Sequence, residues 1–90
     1  MIDHIFRKST GKFAESEVDG ELVLMNIDTG HFHALKGTGL AIWRLVDGKR
    51  TLAAIQAELQ RDYDVDEARC RSESAQFLAS LKAAGFVEHA

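Results

Sequence analysis

The stretch from Asp28 to Gly48, DTGHFHALKGTGLAIWRLVDG, constrains this chain more than any other. It opens on a turn, passes through a short strand, HFHAL, and swings at a Gly-rich corner into an apolar helix closed by Asp47-Gly48. A strand that runs straight into the first core helix is the frame of a small α+β domain, because each element must bury its apolar side against another.

The flanking segments extend that frame. Lys12 to Val18 reads as a first strand, and Asp19-Gly20 is a strong two-residue hairpin signal. Glu21 to Ile27 follows as a second strand. Asp28-Thr29-Gly30 is the next turn, with Gly30 suited to a positive φ, and His31 to Leu35 returns as the third strand. Three strands joined by tight turns make an antiparallel meander. Downstream, Leu40, Ile42, Trp43, Leu45 and Val46 share one side of a helix expected to start at Thr38. Thr51 is a good N-cap for a second helix with the stripe Leu52, Ile55, Leu59 and Tyr63. Asp66 caps a third helix over residues 67–84, with Cys70, Ser74, Phe77, Leu78 and Leu81 on one face. Gly85 is the expected C′ residue, and Phe86-Val87 supplies its hydrophobic contact. A three-stranded antiparallel sheet followed by three helices is an α+β fold whose helical half resembles a winged helix-turn-helix. Residues 1–10 are weakly patterned: Ile2, Ile5 and Phe6 either pack on this unit or fray.

Composition narrows the function classes. Ninety residues make a single domain, 1–90, near the lower end of what one core supports. A net charge of −3 gives no general attraction to nucleic acid or anionic lipid. The single cysteine, Cys70, forms no intramolecular disulfide, which fits a reducing compartment. No apolar run suits a secretory signal or a membrane span, so the expectation is a soluble, cytoplasmic protein.

No residue set points to catalysis. His31 and His33 lie on one face of a strand, but zinc sites need three or four ligands and no third is marked. The expectation is surface or rim histidines, no metal and no cofactor. Cys70 sits on the apolar stripe of the third helix and reads as a buried small hydrophobe rather than a nucleophile. Gly37-Thr38-Gly39 is too short for a phosphate loop. On the third helix Arg69, Arg71 and Lys82 are offset by Glu67 and Glu73, with Asp62, Asp64 and Asp66 just before it. Such an acidic approach repels phosphates, so a winged-helix DNA-binding regulator is the alternative rather than the main reading.

What remains is the outer edge of the third strand. HFHAL carries no Pro, Lys or acid, the residues that normally blunt an edge. An undefended edge beside a long amphipathic helix is a groove able to accept a peptide as an extra strand. From the residue pattern alone, an edge shielded by the helix or by dimerisation is the simpler account.

The order and spacing of several short runs then add a resemblance. Leu22-Val23-Leu24, Asp28-Thr29-Gly30-His31-Phe32-His33, Leu35, Thr38-Gly39, Ile42-Trp43, Leu45 and Asp47-Gly48 form the first part. Thr51, Ile55, Leu59, Tyr63-Asp64-Val65, Phe77-Leu78, Leu81 and Gly85-Phe86-Val87 complete it. Over residues 21–88 the chain resembles the PqqD-like family of RiPP recognition elements. The resemblance implies a non-catalytic module in which the leader of a ribosomally made precursor peptide adds beside the third strand, against the third helix. It implies two partners, that precursor and a modifying enzyme of radical-SAM type or a lasso-type protease and cyclase, with no nucleic acid and no membrane. The chain itself is expected as a monomer or homodimer. Carried over, His31, Phe32, His33, Ala34 and Leu35 supply main-chain hydrogen bonds. Phe77 either floors an apolar pocket or simply packs in the core. Polar selectivity falls to the flank with Arg69, Glu73, Gln76 and Ser80, the flank with Arg71, Ala75 and Lys82 being the alternative. Two residues depart from the family pattern. Lys36 stands where Asn is frequent, which moves the expected cap to Thr38, and Ser74 stands where an aliphatic residue is usual.

Overall fold

A computed structural model of the chain describes residues 4–63 and 66–90. The expectation for Ile2, and the Asp64-Val65 pair of the resemblance, fall outside the described residues. The elements run β1 (Phe6–Lys8), β2 (Phe13–Val18), β3 (Glu21–Asn26), β4 (Phe32–Leu35), α1 (Gly37–Leu45), α2 (Leu52–Asp62), α3 (Glu67–Ala83) and β5 (Val87–His89). The expected meander is present as an antiparallel sheet of order β2-β3-β4.

Local chemistry accounts for most of these elements. Asp19 and Gly20 both take positive φ, 52° and 80°, as the tight turn joining β2 to β3 requires. Leu22 and Leu24 on β3 face inward with Leu35 on β4, and Trp43, Ile55, Leu78, Leu81 and Phe86 complete a continuous core. The Phe13 ring meets Trp43 and Phe86 edge-on at centroid distances of 5.2 and 6.1 Å, which seats the sheet on α1 and the chain after α3. Thr51 Oγ1 accepts the N–H of Ala54 at 3.1 Å, and Asp66 Oδ2 accepts that of Arg69 at 3.0 Å, as caps of α2 and α3. At the other end of α3, Phe86 N–H donates to the Leu81 carbonyl at 2.9 Å and Gly85 N–H to that of Lys82 at 3.1 Å. With Gly85 at φ +86°, this is a Schellman ending.

Two expectations are corrected, and one left open is decided. The cap of α1 is not Thr38: the helix begins at Gly37, and Lys36 holds the cap position without a side-chain hydrogen bond. Gly37 accepts φ +58°, so the turn out of β4 is made one residue earlier than a side-chain cap would place it. Tyr63 leaves the helical stripe, ending α2 in extended geometry with 40% of its surface exposed. The chain before β2, where packing and fraying were both open, is built into the fold from His4 onward. β1 pairs antiparallel with β5 in a second, two-stranded sheet, with Arg7 bonded to Glu88 at 2.7 Å. Phe6 is buried, and its carbonyl accepts the N–H of Gly48 at 3.0 Å, so this sheet also holds the α1–α2 turn.

Candidate functional site

The hydrogen-bond phase of the sheet decides which backbone groups are free. Asn26 N–H donates to the His31 carbonyl at 2.9 Å, so these two residues are a bonded pair. Bonded and non-bonded pairs alternate along an antiparallel ladder, and the register pairs Leu24 with His33 and Leu22 with Leu35. His31, His33 and Leu35 therefore turn their N–H and C=O groups toward β3. Phe32 and Ala34 turn theirs outward, where no strand of the described residues pairs with them. The five-residue run of the sequence thus reduces to two residues that present an open ladder.

The opposite edge has the same openness but different chemistry. Ile27 N–H donates to the Lys12 carbonyl at 3.1 Å, which puts Phe13, Glu15 and Glu17 in the outward phase of β2. Two of those three are carboxylates, and Glu17 is held by Arg44 at 3.0 Å. Charge of this kind defends an edge against pairing, whereas β4 carries none.

Side chains on β4 split by face. Leu35 is buried and His33 half-buried, its ring edge-on to Phe86 with centroids 5.1 Å apart. Phe32 is 67% exposed on the outer face opposite Met25, and Ala34 is exposed opposite Val23. His31 is exposed and lies just before the strand. Among the described residues no cluster of three His, Cys, Asp or Glu side chains is arranged for a metal.

The remaining expected site residues lie on α3. At 100° per residue Arg69, Glu73, Gln76, Phe77, Ser80 and Ala84 fall within about one third of the helix circumference. Two contacts set this stripe against α1, and a third places its end at the β3–β4 turn. A Cβ on Gly39, in the first turn of α1, would stand 3.4 Å from the half-buried Phe77 ring. Arg69 and Glu73 line a cavity of about 240 Å³ with Thr38 and Ile42 of α1, Leu59 of α2 and Asp66, Cys70 and Ser74. Ala84 accepts a hydrogen bond from the Asn26 side chain at 2.8 Å, at the turn between β3 and β4. On the alternative flank the Arg71 backbone carbonyl accepts from Gln56 of α2 at 3.3 Å, and Lys82 Nζ lies 3.2 Å from His89 Nδ1 on β5. Gln76 and Ser80 are exposed, and the Ser80 hydroxyl returns to the Phe77 carbonyl at 2.8 Å.

The electrostatics of the stripe are local. Arg69 Nε donates to Glu73 at 2.8 Å, and this hydrogen bond raises the guanidinium's pKa above its ordinary value. Arg71 pairs with Glu67 at 2.7 Å. Both basic residues that a DNA reader would use are therefore matched by carboxylates on their own helix. Ser74, the polar residue at an aliphatic place, is 2% exposed and fully bonded. Its hydroxyl donates to the Cys70 carbonyl at 2.5 Å and accepts from Gln56 Nε2 at 2.9 Å. Cys70 is buried beside it, with Sγ 3.9 Å from the Gln56 carbonyl.

Reading the residues alone missed Asn26. It lies at the end of the second strand, two residues before the Asp28-Thr29-Gly30 turn, and Asn is a residue type that bonds backbone two and three positions on.

Comparison with known proteins identifies the same fold. A leader-peptide complex of TbiB1, with the TbiA(beta) leader, superposes with a TM-score of 0.79 at 23% identity, over 91% of this chain and 94% of that one. A lasso peptide synthetase B1 complexed with its leader peptide gives a TM-score of 0.80 at 22% identity, over 92% and 96%. At these identities the likeness is one of fold. No curated protein matches the chain. The family model for coenzyme PQQ synthesis protein D matches residues 21–87, nearly the whole unit from β3 through the start of β5. By that match, the chain belongs to the PqqD family.

Proposed function

We propose that this protein binds the leader of a ribosomally made precursor peptide as a fourth strand on β4 and presents it to a modifying enzyme. The observation that carries the reading is the outward phase of Phe32 and Ala34 on an edge without charge. Membership of the PqqD family supports it, as does the fold shared with two proteins solved with leader peptides. In this reading His31 to Leu35 form the docking strand, with Phe32 and Ala34 making the main-chain bonds and His33 and Leu35 holding the strand in the sheet. Phe77 floors the groove, and Arg69, Glu73, Gln76 and Ser80 select among leader side chains. The domain performs no catalysis itself and uses no cofactor. Its enzyme partner is a radical-SAM enzyme or a lasso-type protease and cyclase, and it works in the cytoplasm as a monomer or homodimer.

The test is a titration of the labelled protein with a synthetic leader peptide of its candidate precursor. Amide signals of Phe32, Ala34 and the stretch from Phe77 to Ala84 should shift, and those of α2 should stay. Unmoved β4 amides at saturating peptide refute strand addition. A mass that rises with concentration and falls when leader is added would mean that a second copy occupies the same edge in the absence of peptide.

A further inference from the structure

Asn26 is one of three buried polar residues among the described residues, at 8% exposure, and both ends of its amide are used. Oδ1 accepts the N–H groups of Asp28 at 2.9 Å and Thr29 at 3.2 Å, which builds the turn from β3 to β4. Nδ2 donates to the Ala84 carbonyl at 2.8 Å, 58 residues away, at the last turn of α3. One half of the side chain therefore shapes the hairpin, and the other ties the hairpin to the end of α3.

The surroundings are fitted to this tie. A Cβ at Gly85 would stand 2.9 Å from Asn26 Nδ2, closer than real side chains approach, so glycine is required there for room as well as for its φ of +86°. The groove is held at its other end by the Phe77 ring against Gly39. From Phe77 to Ala84 the helix rises about 10 Å, and Phe32 to Leu35 spans about 10 Å of strand. The two fixed points thus stand at opposite ends of the same short groove. An added strand sits about 4.8 Å beyond β4, so whether it fits depends on how far α3 is held from that edge.

We infer that Asn26 is a positioning residue of the peptide groove, its amide setting the separation between the open edge of β4 and α3. This rests on the proposed function only in taking the groove as the peptide site; the latch itself is a property of the free protein. It acts through other residues and touches no peptide.

The experiment separates the two halves of the amide. Asn26→Asp keeps an acceptor for Asp28 and Thr29 and turns an anionic oxygen toward the Ala84 carbonyl. Gly85→Ala pushes on the same contact from the helix side. If Asn26→Asp does not fold, Asn26→Ser, able to accept from the turn and too short to reach Ala84, takes its place. The first readout needs no peptide: the nuclear Overhauser contact between the His33 and Phe86 rings, whose centroids are 5.1 Å apart in the latched fold. It should weaken in both variants, while exchange protection of the Asp28 and Thr29 amides survives in Asn26→Asp. The second readout is affinity for the same synthetic leader, which should fall about tenfold in both variants. Variants that keep the ring contact, or lose it and still bind at wild-type strength, overturn the inference. If the wild-type protein does not bind the leader, the proposed function fails, and the latch is decided by the ring contact alone.

Discussion

Phe32→Pro is the most direct probe of the open ladder. Its N–H points away from β3, so proline at this position removes a donor that the free protein does not use. The Phe32 side chain is 67% exposed, so little core packing is lost with it. The fold should therefore persist with its melting temperature changed by only a few degrees. Binding should not. One net peptide hydrogen bond is worth about 0.5–1.5 kcal/mol, and a leader carbonyl left facing the pyrrolidine ring loses its partner, at about 1–3 kcal/mol more. A total near 2 kcal/mol corresponds to roughly thirtyfold in Kd, which titration calorimetry with the leader peptide resolves. His33→Pro is the internal control. Its N–H is in the phase that bonds Leu24, so the same substitution one residue on should cost fold stability instead. A folded Phe32→Pro protein with undiminished affinity would refute the ladder as the docking element.

Other consequences can be checked alongside. Leu24→Ala empties a site at 0% exposure in the central strand and should cost about 2–5 kcal/mol in denaturant unfolding, a large share of the total for so small a domain. Thr51→Ala removes the side-chain cap of α2 and should cost about 1 kcal/mol, read from the shift of the urea midpoint. The imidazole of His89 is held below its ordinary pKa of 6.5, first by loss of water and then by Lys82 and His4. The folded state therefore binds that proton less readily than the unfolded chain, so stability declines as pH falls from above 6.5 through the lowered value. Melting curves of wild type and His89→Gln between pH 8 and pH 5 should diverge toward the acid end, with the wild type losing more.

Much of the fold was legible locally because its signals are short-range. Asp19-Gly20 specifies its turn through positive φ, Thr51 and Asp66 cap helices through bonds to residues three ahead, and Gly85 ends α3 by accepting a left-handed φ. The β1–β5 sheet left no comparable mark. Each strand is three residues long, and their side chains meet across 81 positions, so no window of sequence contains the pair. The start of α1 was misjudged because a glycine with φ +58° replaced the side-chain cap that residue type suggested at Thr38.

The candidate site divides along the same line. Residue type alone identified HFHAL as a strand without the usual edge defences, and the structure places that strand at the edge of its sheet. Only the tertiary structure selected Phe32 and Ala34 as the outward groups, because ladder phase depends on a register set between two strands. It also set Arg69 and Glu73 at a cavity with α1 and α2 and put Lys82 beside His89 of β5, since a helix's rotation is decided by what packs against it. Asn26 belongs wholly to this second class. Its partner Ala84 is 58 residues distant, and a hydrogen bond over that separation exists only once the chain has closed on itself.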